Sequence, residues 1–548
     1  MTRPPQTFVA VIVAGLCLGS ATGFIGCRDE RPVLSLRDSD AGVLDGSASG
    51  ELSVTVDVTK VVGEISPLIY GFHFPDSAPS DLDYDAIRPA LLRVPGFRPT
   101  TYNWEINANN GGISWCNENG GAMSLDDTSA GLIDVGAAVA TKLGATLVIT
   151  VPIGDHVAAD TKGGSGPPGC TGDVRKSPNY LTTRFIANLP AAPSPLGAAP
   201  NLTDAQVYQD QMVAWIKRKH PGLPVVFSLD RYPDRWSSFH PAVFAQPPSY
   251  DEICQRGIKF AAAIKSIASD AVVTGPDVSG WSGLVAGGAL TERGTKGDFF
   301  EHYLRCMWAA QPAAPLLDVF EFAWVSEAVA GNEAVSGTGT SVDVIAARVQ
   351  APRSLWDPTY VEDSAPAQSE GALRLLPRLQ EIIKKVDPQV GIFISEWSFG
   401  GTDHASGAVA VADALGVMGK WGVRMAALRW HQEPQRYSLG ALRLFRNFDG
   451  KGAAFGSTAV LADATQIATV GAYASKDNRG SYILLINKTL EEQNLALTVR
   501  GLAQSTVWQV FRVGADSANP RREADFDGSA RRIVLPALSV SLLYAPRP

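Results

Sequence analysis

The chain has 548 residues, a net charge of −8 and 45% hydrophobic residues. That length exceeds one small domain, and that hydrophobic share suits a large soluble core, so two domains or one elaborated domain are expected. The acidic balance and the lack of any basic cluster exclude nucleic acid and anionic membrane surfaces as electrostatic partners.

Residues 1–27 read as an export signal. Arg3 supplies the positive start, Phe8 to Leu18 is an apolar run too short to span a bilayer, and the FIG before Cys27 resembles a bacterial lipobox. Phe24 stands where Leu is usual. The expectation is an exported bacterial protein, lipid-anchored in the cell envelope through Cys27, with plain secretion as the alternative. Residues 28–50 are polar and rich in Gly, Ser and Asp, which suits a flexible tether. The cysteines that follow are Cys116, Cys170, Cys254 and Cys306, none in a CxxC pattern, so a zinc or redox site is not indicated. Export favours disulfides. The pairing expected is Cys116 with Cys170 and Cys254 with Cys306, although four cysteines permit three connectivities.

Leu52 to Val58 alternates apolar and polar residues at period two and predicts an antiparallel strand. Eight short apolar runs then recur: Leu68–Tyr70, Leu91–Val94, Ala145–Val151, Val225–Leu229, Ala271–Thr274, Leu316–Phe322, Gly391–Ser395 and Met425–Leu428. Helix-like stretches lie between them, among them Gln206–Lys219, Tyr250–Ile267, Glu370–Lys385 and Val409–Lys420. This alternation predicts α/β structure, and the absence of a phosphate-binding glycine motif favours a closed (β/α)8 barrel of the TIM type, over residues 61–448. From 449 to 548 the texture changes to strand runs separated by turn residues, which predicts a β-sandwich. The strand within residues 51–60 has no place in the barrel and is expected to join that sandwich.

Function in such barrels collects at the carboxyl ends of the strands. The fourth run leads into Asp230-Arg231-Tyr232-Pro233, and the seventh, GIFISEWSFGG, ends in Glu396. Retaining glycosidases of this architecture place an acid/base carboxylate after strand four and a nucleophile after strand seven, about 5 Å apart. The chain holds 12 Trp, whose flat faces suit sugar rings but which also serve as ordinary core. Asp155 and Asp160 offer oxygens that calcium would favour, but without a ligand spacing they read as a solvated loop, and no cofactor is expected.

From about Leu52 to the end the chain resembles glycoside hydrolase family 44, whose members are retaining endo-acting β-1,4-glucanases and xyloglucanases built from a barrel and a β-sandwich. The segments that carry the resemblance are ISPLIYGFHF, TTYNWEINANNGG, SLWDPTYVEDS, ISEWSFGGTDHASGAVAVADALGVMGKWGV and LFRNFDGKGAAFGSTAV. It implies that Glu396 is the nucleophile position and that Tyr102, Trp104 and Trp430 line a substrate groove. Trp236, Trp324 and Trp397, at or beside strand ends, are added as candidate groove residues. The implied partner is a β-glucan-type polysaccharide of the cellulose or xyloglucan class, bound by a monomer.

The departures from the family pattern are as informative. Where the family has Asp-Asn-Glu-Pro, with Glu as the acid/base, this chain has Arg231 and Tyr232 at the Asn and Glu positions. After strand two, Arg-x-Gly-Gly-Asn becomes Arg93-Val94-Pro95-Gly96-Phe97, and after strand six a pattern close to His-x-Tyr-Pro becomes Ala323-Trp324-Val325-Ser326. Asp234, Glu321 and Glu433 are conceivable substitute acids, none at the required position. His404 is expected to order its loop, and His73 either faces the groove or is a structural histidine. Three readings follow: a glycosidase with an altered site, a catalytically silent surface lipoprotein that binds polysaccharide, and a structural envelope protein.

Overall fold

A computed structural model describes residues 51–547, apart from 74–82, 95–97, 113–116, 120–126, 163–173, 194–195, 198, 289, 312 and 432–433. The export signal, the tether and Cys27 lie outside the described residues. So do Cys116 and Cys170, the expected pair, and Glu433.

Strands Gly71–His73, Leu91–Arg93, Thr146–Val151, Val225–Leu229, Val272–Ser279, Val319–Val325, Gly391–Ser398 and Met425–Leu428 close a barrel, each beside its neighbour in sequence. All pairings are parallel. Seven of the eight expected runs overlap a barrel strand. The exception is the first. Leu68–Tyr70 was expected to be strand, but Pro67–Ile69 forms a 3-10 turn, with the Ser66 hydroxyl accepting from the Leu68 N–H, and the strand starts at Gly71. Proline at the turn's first position presets its φ and favours that turn over a strand.

Helix Tyr250–Ile267 shows how local sequence sets an element. Ser249 caps its first turn by accepting from the Glu252 N–H at 3.1 Å, and Asp251 and Glu252 complement the positive helix end. The expected helix over 370–385 is instead two, Ala365–Glu370 and Leu375–Val386, because the chain leaves the first at Gly371 with φ of 74°.

The second body is one ten-stranded sheet that curls around its own core. Strand Ser53–Glu64 is inserted between Thr458–Ala464 and Gln493–Arg500, so the N-terminal strand joins the C-terminal region. Thr458–Ala464 and Ser517–Arg522 were not anticipated. The latter, SANPRR, is a polar edge strand containing Pro520, a composition that carries no core signal. Along Gly480–Asn487 the period of two divides the side chains. Ile483 and Leu485 face the sheet's own core with Val54, Val56 and Trp508, whereas Leu484 and Ile486 belong to the barrel's core.

Helix Ala405–Lys420 lies in that junction and is buried on all sides except at Lys420, which its alanine- and glycine-rich sequence permits. The Asp413 carboxylate on this helix pairs with Lys488 at 2.7 Å and accepts from the Tyr473 hydroxyl at 2.8 Å, fastening barrel to sheet.

The expected bond between Cys254 and Cys306 is present and joins helices Tyr250–Ile267 and Phe299–Ala310, 52 residues apart in sequence. Closing a loop of that size stabilises by roughly 4 kcal/mol in the chain-entropy account. Replacing both cysteines by serine should lower the calorimetric unfolding temperature; an unchanged temperature would show that the bond adds nothing to stability.

Candidate functional site

The barrel interior is built in layers. Leu91, Val148, Val226, Val319 and Phe393 form an apolar floor. Two residues further along the same strands, on the same inward face, stand Arg93, Thr150, Ser228, Glu321 and Ser395. A dry floor therefore carries a polar layer. Arg93 is completely buried. Its Nε donates to Glu321 at 3.0 Å and its Nη2 to Asp277 at 2.6 Å, with further bonds to Ser228 and Thr150. Ser228 and Thr274 both donate to the other Glu321 oxygen. Burial is the main force pushing the Glu321 carboxyl up, and Arg93 pulls against it.

Two irregularities bring the remaining carboxylates inward. Between Glu321 and Phe322 the register against Val272–Ser279 slips, leaving Asp277 as an extra residue with φ of 51°. A second slip beside Ala323 leaves Ser395 without a counterpart, so that Ser395 and Glu396 both reach the inner network. In a regular strand consecutive side chains point to opposite faces; a bulge removes that restriction. Ser395 donates to one oxygen of Asp277, and the other accepts from both Arg93 and Arg231.

Above this layer Glu396 is clamped. Arg231 donates to its Oε2, and Tyr232 donates to the same oxygen at 3.1 Å. Arg429, just past the eighth strand, pairs its Nε with Oε1 at 3.0 Å. Nε2 of His73 stands 3.9 Å from Oε2 and makes no hydrogen bond among the described residues. Burial holds the His73 imidazole well below its ordinary value, and Arg231, Arg93 and Arg429 add to this, so it is neutral near pH 7. Burial likewise raises the Tyr232 phenol, outweighing the opposite pull of Arg231. The structure holds a neutral phenol, because desolvation dominates.

A profile of glycoside hydrolase family 44 matches residues 108–328. Endoglucanase A of Paenibacillus lautus is 30% identical over 522 residues, spanning 90% of this chain and 72% of that protein. The chain belongs to glycoside hydrolase family 44. Among solved structures, a family 44 xyloglucanase of Paenibacillus polymyxa, determined with xyloglucan, superposes with a TM-score of 0.83 at 27% identity, covering 91% of this chain and 100% of that one. A family 44 endoglucanase of Clostridium thermocellum gives 0.82 at 26%, covering 90% and 99%.

In this family 44 chain several expected groove residues are core instead. Trp104 is fully buried against Trp215, its indole N–H donating to the Tyr208 carbonyl at 3.2 Å, and Tyr102 donates to Asn107 at 2.8 Å. Trp236 stacks on Phe244 at 4.2 Å. Large aromatic faces next to apolar helices are more stable out of water, which overrides the groove role expected for these three. Trp324 and Trp397 are paired in register at adjacent strand ends and are also buried, and among the described residues their indole N–H groups have no hydrogen-bond partner. Trp430 is half-buried beside Arg429.

Of the conceivable substitute acids, Glu321 is sealed in the polar layer, and Asp234 is held by the Ser279 N–H and hydroxyl. His404 caps helix Ala405–Lys420 by accepting from the Ser406 N–H. Asp155 is exposed and pairs with Arg256, and Asp160 pairs with Arg184. Asp277 and Arg429 were missed. Both sit at strand ends outside the quoted family segments. Arg93 and Glu321 carried a legible signal, since a charged residue inside a strand buried on both faces needs a partner.

Burial pushes the Asp234 carboxyl up to about 6, with the Ser279 bonds opposing. The folded state therefore holds this proton more tightly than the unfolded chain, and the contribution is lost as pH rises from about 4 through 6. Asp234→Asn should gain stability relative to the natural chain across that window in thermal melts; a pH-independent difference would contradict the raised carboxyl.

Proposed function

We propose that this family 44 protein recognises a β-1,4-glucan-type polysaccharide of the cellulose or xyloglucan class and hydrolyses it weakly or not at all. The observation that carries the reading is the state of Glu396. Its carboxylate is engaged by Arg231 and Arg429, and the group over it at the expected acid position is the neutral phenol of Tyr232. A nucleophilic carboxylate must give up such pairing to attack carbon, and a positioned acid contributes about 10²–10⁴ in rate that a phenol with a raised pKa does not supply near pH 7. Recognition is supported by the relatives' named activities and by the half-buried Trp430 just past the eighth strand, whose flat face suits a sugar ring.

Leaving groups separate recognition from catalysis. The natural chain should be retarded by xyloglucan in affinity electrophoresis and release little reducing sugar from it, while Arg231→Asn combined with Tyr232→Glu should raise hydrolysis. Activated aryl glycosides, which need no proton on departure, should be cleaved faster than xyloglucan if Glu396 retains any nucleophilic role. Rapid xyloglucan hydrolysis by the natural chain, or absence of binding to any glucan, would overturn the reading.

The same proposal places the protein outside the cell on a lipidated Cys27. Metabolic labelling with a radioactive fatty acid should mark the natural protein and not Cys27→Ser; an unlabelled natural protein would leave plain secretion.

A further inference from the structure

A pocket of about 400 Å³ lies between the barrel and the curled sheet, lined by Arg88, Arg446 and Arg479. Arg88 follows helix Tyr84–Ile87 just before the second barrel strand, and Arg446 ends helix Arg436–Arg446, which follows the eighth. Both therefore stand at the amino-terminal end of the barrel, away from Glu396. Arg479 comes from the turn between sheet strands Val470–Lys476 and Gly480–Asn487.

The charges there do not balance. Arg479 pairs with Asp477 and donates to the Ala454 carbonyl at 3.2 Å. Arg446 spends its Nε on the Arg88 carbonyl at 2.9 Å and sits 5.9 Å from the centre of the Tyr70 ring. Among the described residues, neither Arg446 nor Arg88 has a carboxylate within salt-bridge distance; the nearby Asp85 pairs with Lys142. Burial lowers the Arg446 guanidinium below its ordinary value, and the positive charges of Arg88 and Arg479 lower it further. Arg446 is half-buried between the exposed Arg88 and Arg479, and like charges so placed favour an anion that joins them.

The cradle is also kept open. Gly452 lines it at φ of 99°, and a side chain there would collide with the Arg88 guanidinium. Ser457 and Asn478 add neutral hydrogen-bonding groups, while Tyr70 and Phe455 form an apolar wall. Guanidinium forks suit the paired oxygens of carboxylate and phosphate, and the volume suits a single sugar-sized group.

We propose that this pocket is a binding site for a small oxyanion, phosphate or carboxylate, borne on a molecule of about monosaccharide size. It is separate from the Glu396 site and does not depend on how that site is read.

Titration calorimetry on the mature chain at low ionic strength tests it, with inorganic phosphate, glucose 6-phosphate and glucuronate as probes and glucose as the neutral control. At least one anion should bind and glucose should not, and the tighter of the phosphates and glucuronate identifies the source of the oxyanion. Arg88→Gln and Arg446→Gln should each weaken binding by about tenfold or more. Arg88 is exposed, so its variant tests the site even if Arg446→Gln fails to fold. No heat with any anion, binding of glucose as strong as that of the anions, or anion affinity unchanged in Arg88→Gln would overturn the site.

Discussion

Arg93 carries a full charge inside a closed barrel, beyond the reach of water, and the arrangement above it follows from that constraint. A guanidinium cannot shed its proton, so the barrel must answer it with carboxylates. Glu321 and Asp277 do so, and each brings further requirements. Glu321 is surrounded by the hydroxyls of Ser228 and Thr274. Asp277 reaches inward only because its strand bulges, and its second interaction, with Arg231, continues the series to Glu396 and then Arg429. Positive and negative groups alternate from the middle of the barrel to its mouth. Removing one member leaves a neighbouring charge buried and unpaired, which in such settings costs about 3–5 kcal/mol.

This continuity joins scaffold and chemistry. A carboxylate intended as a nucleophile gains from being ionised and from being free to advance. Here Glu396 is held by its partners, one on each oxygen, with a phenol on the same oxygen as Arg231. One of the two positive charges on Asp277 is also the one that restrains Glu396. Arg231 thus serves the interior ladder and the mouth at once, and Tyr232 lies against it, its ring 4.3 Å from the guanidinium carbon.

The aromatic residues expected in the groove are mostly buried. Tyr102, Trp104, Trp236, Trp324 and Trp397 are all core residues, and Trp430 is half-buried. Matching aromatic positions to a family identifies where the rings are in the chain, but their exposure depends on what packs over them, and that comes from elements far away in sequence.

The amino-acid sequence by itself determined the barrel, a strand-rich C-terminal region joined by the N-terminal strand, and the family, because apolar runs, turn residues and long motif segments are local properties; that the strands form one curled sheet came from the structure. It placed Glu396 at the end of the seventh strand and Tyr232 after the fourth. It also held a readable signal in Arg93 and Glu321, charged residues where both strand faces are buried. Only the tertiary structure decided that these residues form one ladder. Two bulges, each a register slip between partners dozens of residues apart, turn Asp277 and the Ser395–Glu396 pair inward, and a period-two reading of either strand alone sends consecutive side chains to opposite faces. Likewise the protonation of Tyr232 was settled by burial, a sum over all surrounding elements, and not by the arginine beside it in sequence.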